Sequence, residues 1–157
     1  MRHPYAVFAL VSLAVIACGR KNKPNFDGTY DGKSTMAITM KMPDGTVDKG
    51  DDDDKKPIDD TYRIADDDQA EIKLTVLDDT DHCVLTATRS GASATVKPGQ
   101  SCTTKNDSDS MTLKVTKGTV TMAGDEATID VTFDTSTTVE STTVPGTMDL
   151  HFVGKRS

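Results

Sequence analysis

The chain offers few residues that could combine to perform catalysis. Past residue 25, its only histidines are His82 and His151. No GxSxG elbow, HExxH pair or glycine-rich phosphate loop occurs. His151 stands between Leu150 and Phe152, and this alternation predicts a surface position on a strand. The aspartates are plentiful, but a polar loop supplies no burial to raise a carboxyl pKa for acid catalysis. We therefore expect no enzyme and no cofactor.

The length and net charge of the chain further narrow the class of protein to which it could belong. The 157 residues suit one domain, and 35% of them are hydrophobic. The formal net charge is -7, which argues against nucleic acid as a partner because a basic face is needed to neutralise phosphates.

Residues 1–17 have the layout of a secretory signal peptide. Arg2 and His3 precede an apolar stretch at positions 5–17. The stretch ends in Val15-Ile16-Ala17-Cys18, which resembles the lipobox of bacterial lipoproteins. The resemblance implies cleavage before Cys18, a diacylglyceryl group on its sulfur and acylation, for example by palmitate, of the new amine. The alternative is an ordinary signal peptide with an incidental cysteine.

This resemblance also implies a location and a first partner, the membrane. Two or three acyl chains hold a protein on a membrane surface without a transmembrane helix. In such families an Asp after the cysteine typically causes inner-membrane retention. Here the residue is Gly19, which favours the outer membrane if the organism has one. Residues 18–25 are short, polar and basic and predict a lipidated tether, followed by one domain over residues 26–157.

Cys83 and Cys102 are the remaining cysteines. Export would place them in an oxidising compartment, where cysteine pairs tend to form disulfides. We expect a Cys83–Cys102 bridge. The alternative is a metal site with His82, but structural zinc needs four such ligands and no second pair is present.

The negative charge is concentrated in one segment. Between positions 44 and 68 lie eleven Asp against four basic residues. An acidic, solvated loop near residues 44–60 is the simplest interpretation. Its densest part, Asp51, Asp52, Asp53 and Asp54, offers carboxylates to a hard cation such as Ca²⁺. The EF-hand pattern is absent, so we predict at most weak cation binding there.

From Phe26 onward, apolar residues recur at every second position, as half-buried strands require. The clearest such segments are 36–42, 70–76, 83–87, 111–115, 127–133 and 148–152. Gly and Pro separate them at short intervals, and 24 threonines favour strands. No helical repeat is visible. The fold class is therefore predicted as all-β, a single antiparallel sandwich or barrel of about eight strands.

The predicted core is poor in aromatic residues. Methionines supply much of the remainder: Met36, Met40, Met42, Met111, Met122 and Met148. They suit adaptable core packing, and alternatively the lining of an apolar pocket. Phe26-Asp27-Gly28-Thr29-Tyr30 carries a Gly-x-aromatic, similar to the Gly-x-Trp at the start of lipocalin-like barrels. That resemblance implies a cupped barrel and no particular ligand.

Two functions remain open. The first is a non-catalytic structural or protein-interaction role of a lipoprotein in the cell envelope. The second is a binding module for a small apolar ligand. Large interior side chains would favour the first, whereas small ones such as Gly32, Ser34 and Ala87 would leave room for a ligand.

Overall fold

The computed structural model describes residues 24–50, 56–66, 70–76, 83–106, 109–139 and 142–157. These residues form ten strands, every pair of them antiparallel, and contain no helix that could span a membrane. The strands are β1 (Gly28–Lys41), β2 (Val47–Asp48), β3 (Ile58–Asp66), β4 (Glu71–Val76), β5 (Cys83–Ser90), β6 (Ser93–Val96), β7 (Ser101–Asn106), β8 (Asp109–Ala123), β9 (Glu126–Val139) and β10 (Thr142–Arg156). The predicted all-β antiparallel fold is confirmed.

Residues that alternate between apolar and polar in the sequence alternate between buried and exposed in the structure. In β4, Ile72 and Leu74 are buried whereas Glu71 and Lys73 are exposed, because successive side chains point to opposite faces of a sheet. The β5–β6 and β8–β9 hairpins turn through two residues each. Gly124 opens the second turn with φ +69°, in the left-handed region that glycine tolerates best.

The sheet closes into a ring because β1 pairs with β3 on one side and with β10 on the other. Eight strands form this ring, in the order β1-β3-β4-β5-β6-β8-β9-β10. At the seam between β1 and β10, Gly32 lies opposite Gly154. A Cβ on Gly32 would lie 2.1 Å from the Val153 carbonyl oxygen, so only glycine permits this close approach.

Two ends of the ring differ because its strands differ in length. The β5–β6 and β8–β9 turns lie at one end, the base, together with the start of β1 and the end of β10. From the base, β1, β8, β9 and β10 run for 14 or 15 residues, whereas β4 and β5 have only six and eight. β7 continues the line of β6 along β8. β1, β7, β8, β9 and β10 therefore form a wall that extends past β4 and β5 at the other end, the mouth.

The interior of the ring is filled by one continuous apolar cluster. Its largest fully buried side chains are Tyr30, Phe26, Phe133, Phe152, Ile64, Ile72, Leu74, Leu85, Leu113 and Ile129. The rings of Tyr62 and Phe152 pack with centroids 4.5 Å apart. Ser34 and Ala87 are themselves fully buried. Large side chains thus pack through the middle of the ring.

Candidate functional site

Cys83 and Cys102 lie at disulfide distance, with their Cα atoms 5.4 Å apart. Cys83 begins β5 and Cys102 lies in β7, two strands that do not pair with each other. The contact between them therefore joins a short strand of the ring to the edge of the wall.

Several predicted site residues fall outside the described residues. These are Cys18, His82 and the acidic run Asp51, Asp52, Asp53 and Asp54. Within the described part of the chain, no three His, Cys, Asp or Glu side chains come together in a way that could hold a metal ion. His151 lies on the exposed face of β10, as predicted, and its Nδ1 is 2.6 Å from Asp130 Oδ1.

Half-exposed apolar side chains line the inner face of the wall near the mouth. We call this patch the mouth face, and its members are Met36, Ile38, Met40, Met111 and Val144. They point inward because they alternate in phase with buried core residues, as Val144 does with Met148. The patch remains accessible because β4 and β5 end below it.

The predicted methionine core divides into two groups. Met122 and Met148 are 5% and 3% exposed and belong to the core. The half-exposed methionines are Met36, Met40, Met42 and Met111. Methionine side chains are flexible and polarizable, and three of the second group, Met36, Met40 and Met111, belong to the mouth face.

A buried hydroxyl without a partner lies beside the mouth face. Thr135 on β9 stands between Gly146 on β10 and Leu113 on β8. Its side chain is 5% exposed, and its Oγ1 has no hydrogen-bond partner among the described residues. The missing side chain of Gly146 makes room for it, since a Cβ there would lie 2.7 Å from Thr135 Oγ1. An unsatisfied buried hydroxyl costs about 1–3 kcal/mol.

Below the mouth face lies a small polar cluster on the inner sides of β1 and β3. Ser34 Oγ donates to Asp60 Oδ2 at 2.7 Å and also lies 3.4 Å from Tyr62 Oη. Asp60 is half-buried, whereas Ser34 and Tyr62 are buried. Ser34 precedes Met36 by two positions and shares its face, so the Asp60 carboxylate lies at the floor of the mouth face.

The cluster predicts a loss of stability at alkaline pH. Burial raises the pKa of Tyr62 well above its ordinary value of 10.0. The folded chain then retains a proton that the unfolded chain releases, so this stabilisation is present below about pH 10 and is lost as the pH rises further. Urea unfolding at pH 8 and pH 11 should show a smaller loss for Tyr62→Phe than for the wild type. Equal losses in the two proteins would contradict this assignment.

One edge of the wall is formed by β7. Its six residues pair with β8, from Ser101 opposite Lys114 to Asn106 opposite Asp109. On its other edge β7 pairs with no strand in the described ranges. A strand added there would place every second side chain on the inner face, next to Thr104 and one strand further from Met111 on β8.

The base contains an ion pair that the sequence analysis missed. Asp66 falls within the acidic segment between positions 44 and 68, but it ends β3 with a side chain only 3% exposed. Its Oδ2 lies 2.5 Å from Arg89 Nη1 on β5. The signal was present, because Asp66 follows Tyr62 and Ile64 in phase, and Arg89 likewise follows Ala87. Opposite charges in the inward phase of β3 and β5, which flank β4 in the sheet, indicate a buried pair.

Comparison with known proteins gave no match. No protein-family model matches the chain, and no curated protein or solved structure is significantly similar to it.

Proposed function

We propose that this chain is a lipid-anchored, non-catalytic protein of the cell envelope that binds an extended apolar segment of another envelope protein at the mouth face. The observation that carries the proposal is the position of a half-exposed apolar patch beside β7, whose outer edge pairs with no strand among the described residues. The lipid anchor rests on the lipobox ending in Cys18. An oxidised Cys83–Cys102 bridge is part of the proposal, because export would expose both cysteines to an oxidising compartment.

The unpaired edge determines the kind of partner. A flat apolar patch alone would accept many ligands, but free backbone groups select a chain in extended conformation, which supplies main-chain hydrogen bonds. Residues at alternate positions of that chain would contact the mouth face. The Asp60 carboxylate at its floor favours a partner segment that also carries a basic side chain.

Photo-crosslinking tests this function with two neighbouring positions of β1. Benzoylphenylalanine is placed at position 40, on the mouth face, or at position 39, on the opposite face of the same strand, in the full chain expressed in its own envelope. We expect position 40 to yield a crosslinked partner and position 39 to yield none. The crosslinked peptide should have apolar residues at alternate positions.

Two further variants sharpen the result. Met111→Lys places a charge on the mouth face from a different strand and should reduce crosslinking from position 40 several-fold. Asp60→Asn keeps an oxygen that can accept the Ser34 hydrogen bond but removes the charge. It should lower the amount of crosslinked product if the partner segment carries a basic side chain near position 60. Equal products from positions 39 and 40, or no product from position 40, would refute the proposed function.

A small apolar ligand is the second candidate, favoured by the unpartnered Thr135 hydroxyl beside the methionines. The packed ring argues against a ligand enclosed at its centre, so such a ligand would lie on the mouth face. Native mass spectrometry of the exported chain distinguishes the two. An extra mass of small-molecule size that Met40→Lys abolishes would favour the ligand over the protein segment.

A further inference from the structure

Three consecutive backbone carbonyls at the start of the domain are held by side chains from three strands. Arg89 Nη2 on β5 donates to the carbonyl oxygen of Pro24. Arg156 Nη2 on β10 donates to that of Asn25 at 2.5 Å, and Tyr30 Oη on β1 donates to that of Phe26 at 2.9 Å. We call these three hydrogen bonds the carbonyl clamp.

Each donor of the carbonyl clamp is itself fixed. Arg89 pairs with buried Asp66, and its guanidinium lies 5.1 Å from the centre of the Phe26 ring. Arg156 Nη2 also donates to Tyr30 Oη at 3.0 Å. Phe26 is fully buried, so an apolar side chain and three hydrogen bonds secure this segment together. Residues 24–26 are therefore held against the folded domain.

The carbonyl clamp lies at the base of the ring, because Gly28 begins β1 there and Arg156 ends β10 there. The β5–β6 turn at the same end, Ser90-Gly91-Ala92-Ser93, carries no charged side chain. Asp44 and Asp48 are exposed at the mouth end of β1 and β2, and Asp125 is exposed in the β8–β9 turn at the base. Both ends therefore carry acidic side chains, and the length of the tether decides which end faces the lipid surface.

Chain length limits how far the base can move from Cys18. Five residues, 19–23, separate Cys18 from Pro24, and six extended Cα–Cα steps span at most about 20 Å. β10 has 15 residues, which is roughly 50 Å along the strand and still about 40 Å along the ring axis at a tilt of ~40°. A tether from the base is therefore too short to let the mouth turn toward the same membrane.

We infer that the carbonyl clamp holds the base of the domain against the lipid surface and directs the mouth face away from it. This inference rests on the proposed anchor at Cys18. It identifies the base as a membrane-facing surface, and it places the mouth face where partners in the aqueous space can reach it.

Fluorescence quenching in vesicles tests this orientation. The lipidated full chain is reconstituted in phosphatidylethanolamine and phosphatidylglycerol vesicles that contain a nitroxide-headgroup lipid. A fluorophore is attached at Ala92→Cys, in the base turn, or at Lys41→Cys, at the mouth end of β1; both positions are exposed. We expect quenching at position 92 to be several times that at position 41. Equal quenching, or stronger quenching at position 41, would overturn the inference.

Two controls separate the role of the carbonyl clamp from that of folding. A flexible Gly-Ser insertion between Lys23 and Pro24 leaves all three hydrogen bonds intact but lengthens the tether, and it should reduce quenching at position 92. Unchanged quenching after the insertion would also overturn the inference. Tyr30→Phe removes one clamp bond and should narrow the difference between the two positions, with circular dichroism reporting whether the fold persists.

Flotation of the vesicles separates this inference from the proposed function. Wild-type protein should float with the vesicles, and Cys18→Ala should not. Wild-type protein that fails to float would contradict the anchor and the orientation together. Floating protein with equal quenching at the two positions would contradict the orientation alone.

Discussion

Replacing Arg89 with alanine is expected to lower the free energy of unfolding by about 3–5 kcal/mol, because it leaves the Asp66 carboxylate buried without its counter-ion. The two side chains are 12% and 3% exposed, so water cannot easily replace the guanidinium. The same substitution removes the hydrogen bond to Pro24 and the contact with the Phe26 ring. Urea unfolding followed by circular dichroism measures the loss.

A matched ion pair on the surface provides the control. Lys97 pairs with Glu71, and these side chains are 43% and 48% exposed. Lys97→Ala should therefore cost less than about 1 kcal/mol. Adding Asp66→Asn to the Arg89→Ala variant should recover part of the loss, since no charge then remains buried. A loss for Arg89→Ala as small as that for Lys97→Ala would show that Asp66 stays solvated.

The fold class could be predicted because the strands of an antiparallel sheet with one buried face alternate between apolar and polar residues in sequence. The alternation of Ile72 and Leu74 with Glu71 and Lys73 gives both the strand and its inward face. The closure of the sheet into a ring could not be predicted from this alternation. It depends on the pairing of β1 with β10, which are more than 100 positions apart, and on the close approach of Gly32 to Gly154. Local alternation contains no information about that pairing.

The candidate site was only partly predictable, for a related reason. Met40 and Met148 follow the same alternating pattern, yet Met148 is buried and Met40 is half-exposed. The difference arises because neighbouring strands end at different heights, and strand height is a property of the assembled ring. The burial of Arg89 and Asp66 was missed because charged residues are normally placed on the surface. Here each of them occupies the last inward-facing position of its own strand.

Breaking the proposed bond between Cys83 and Cys102 is expected to lower the free energy of unfolding by about 3 kcal/mol. The two cysteines are 19 positions apart, and a bridge over such a loop removes conformational freedom mainly from the unfolded chain. Urea unfolding with and without reductant measures the difference, and the Cys83→Ala/Cys102→Ala variant, insensitive to reductant, provides the control. Two reactive thiols in the denatured, unreduced protein would contradict the bridge.

The bridge should also act locally, because β5 and β7 share no ladder of backbone hydrogen bonds. Without it, β8 is the only strand of the described residues that pairs with β7. Reduction should therefore accelerate amide hydrogen exchange in Ser101–Asn106 far more than in β9, which is paired on both sides. Since β7 is also the edge proposed to receive a partner strand, reduction should lower crosslinking from position 40 in proportion. A uniform rise in exchange across the wall would instead mean that the bridge stabilises the whole ring and not the edge at the mouth.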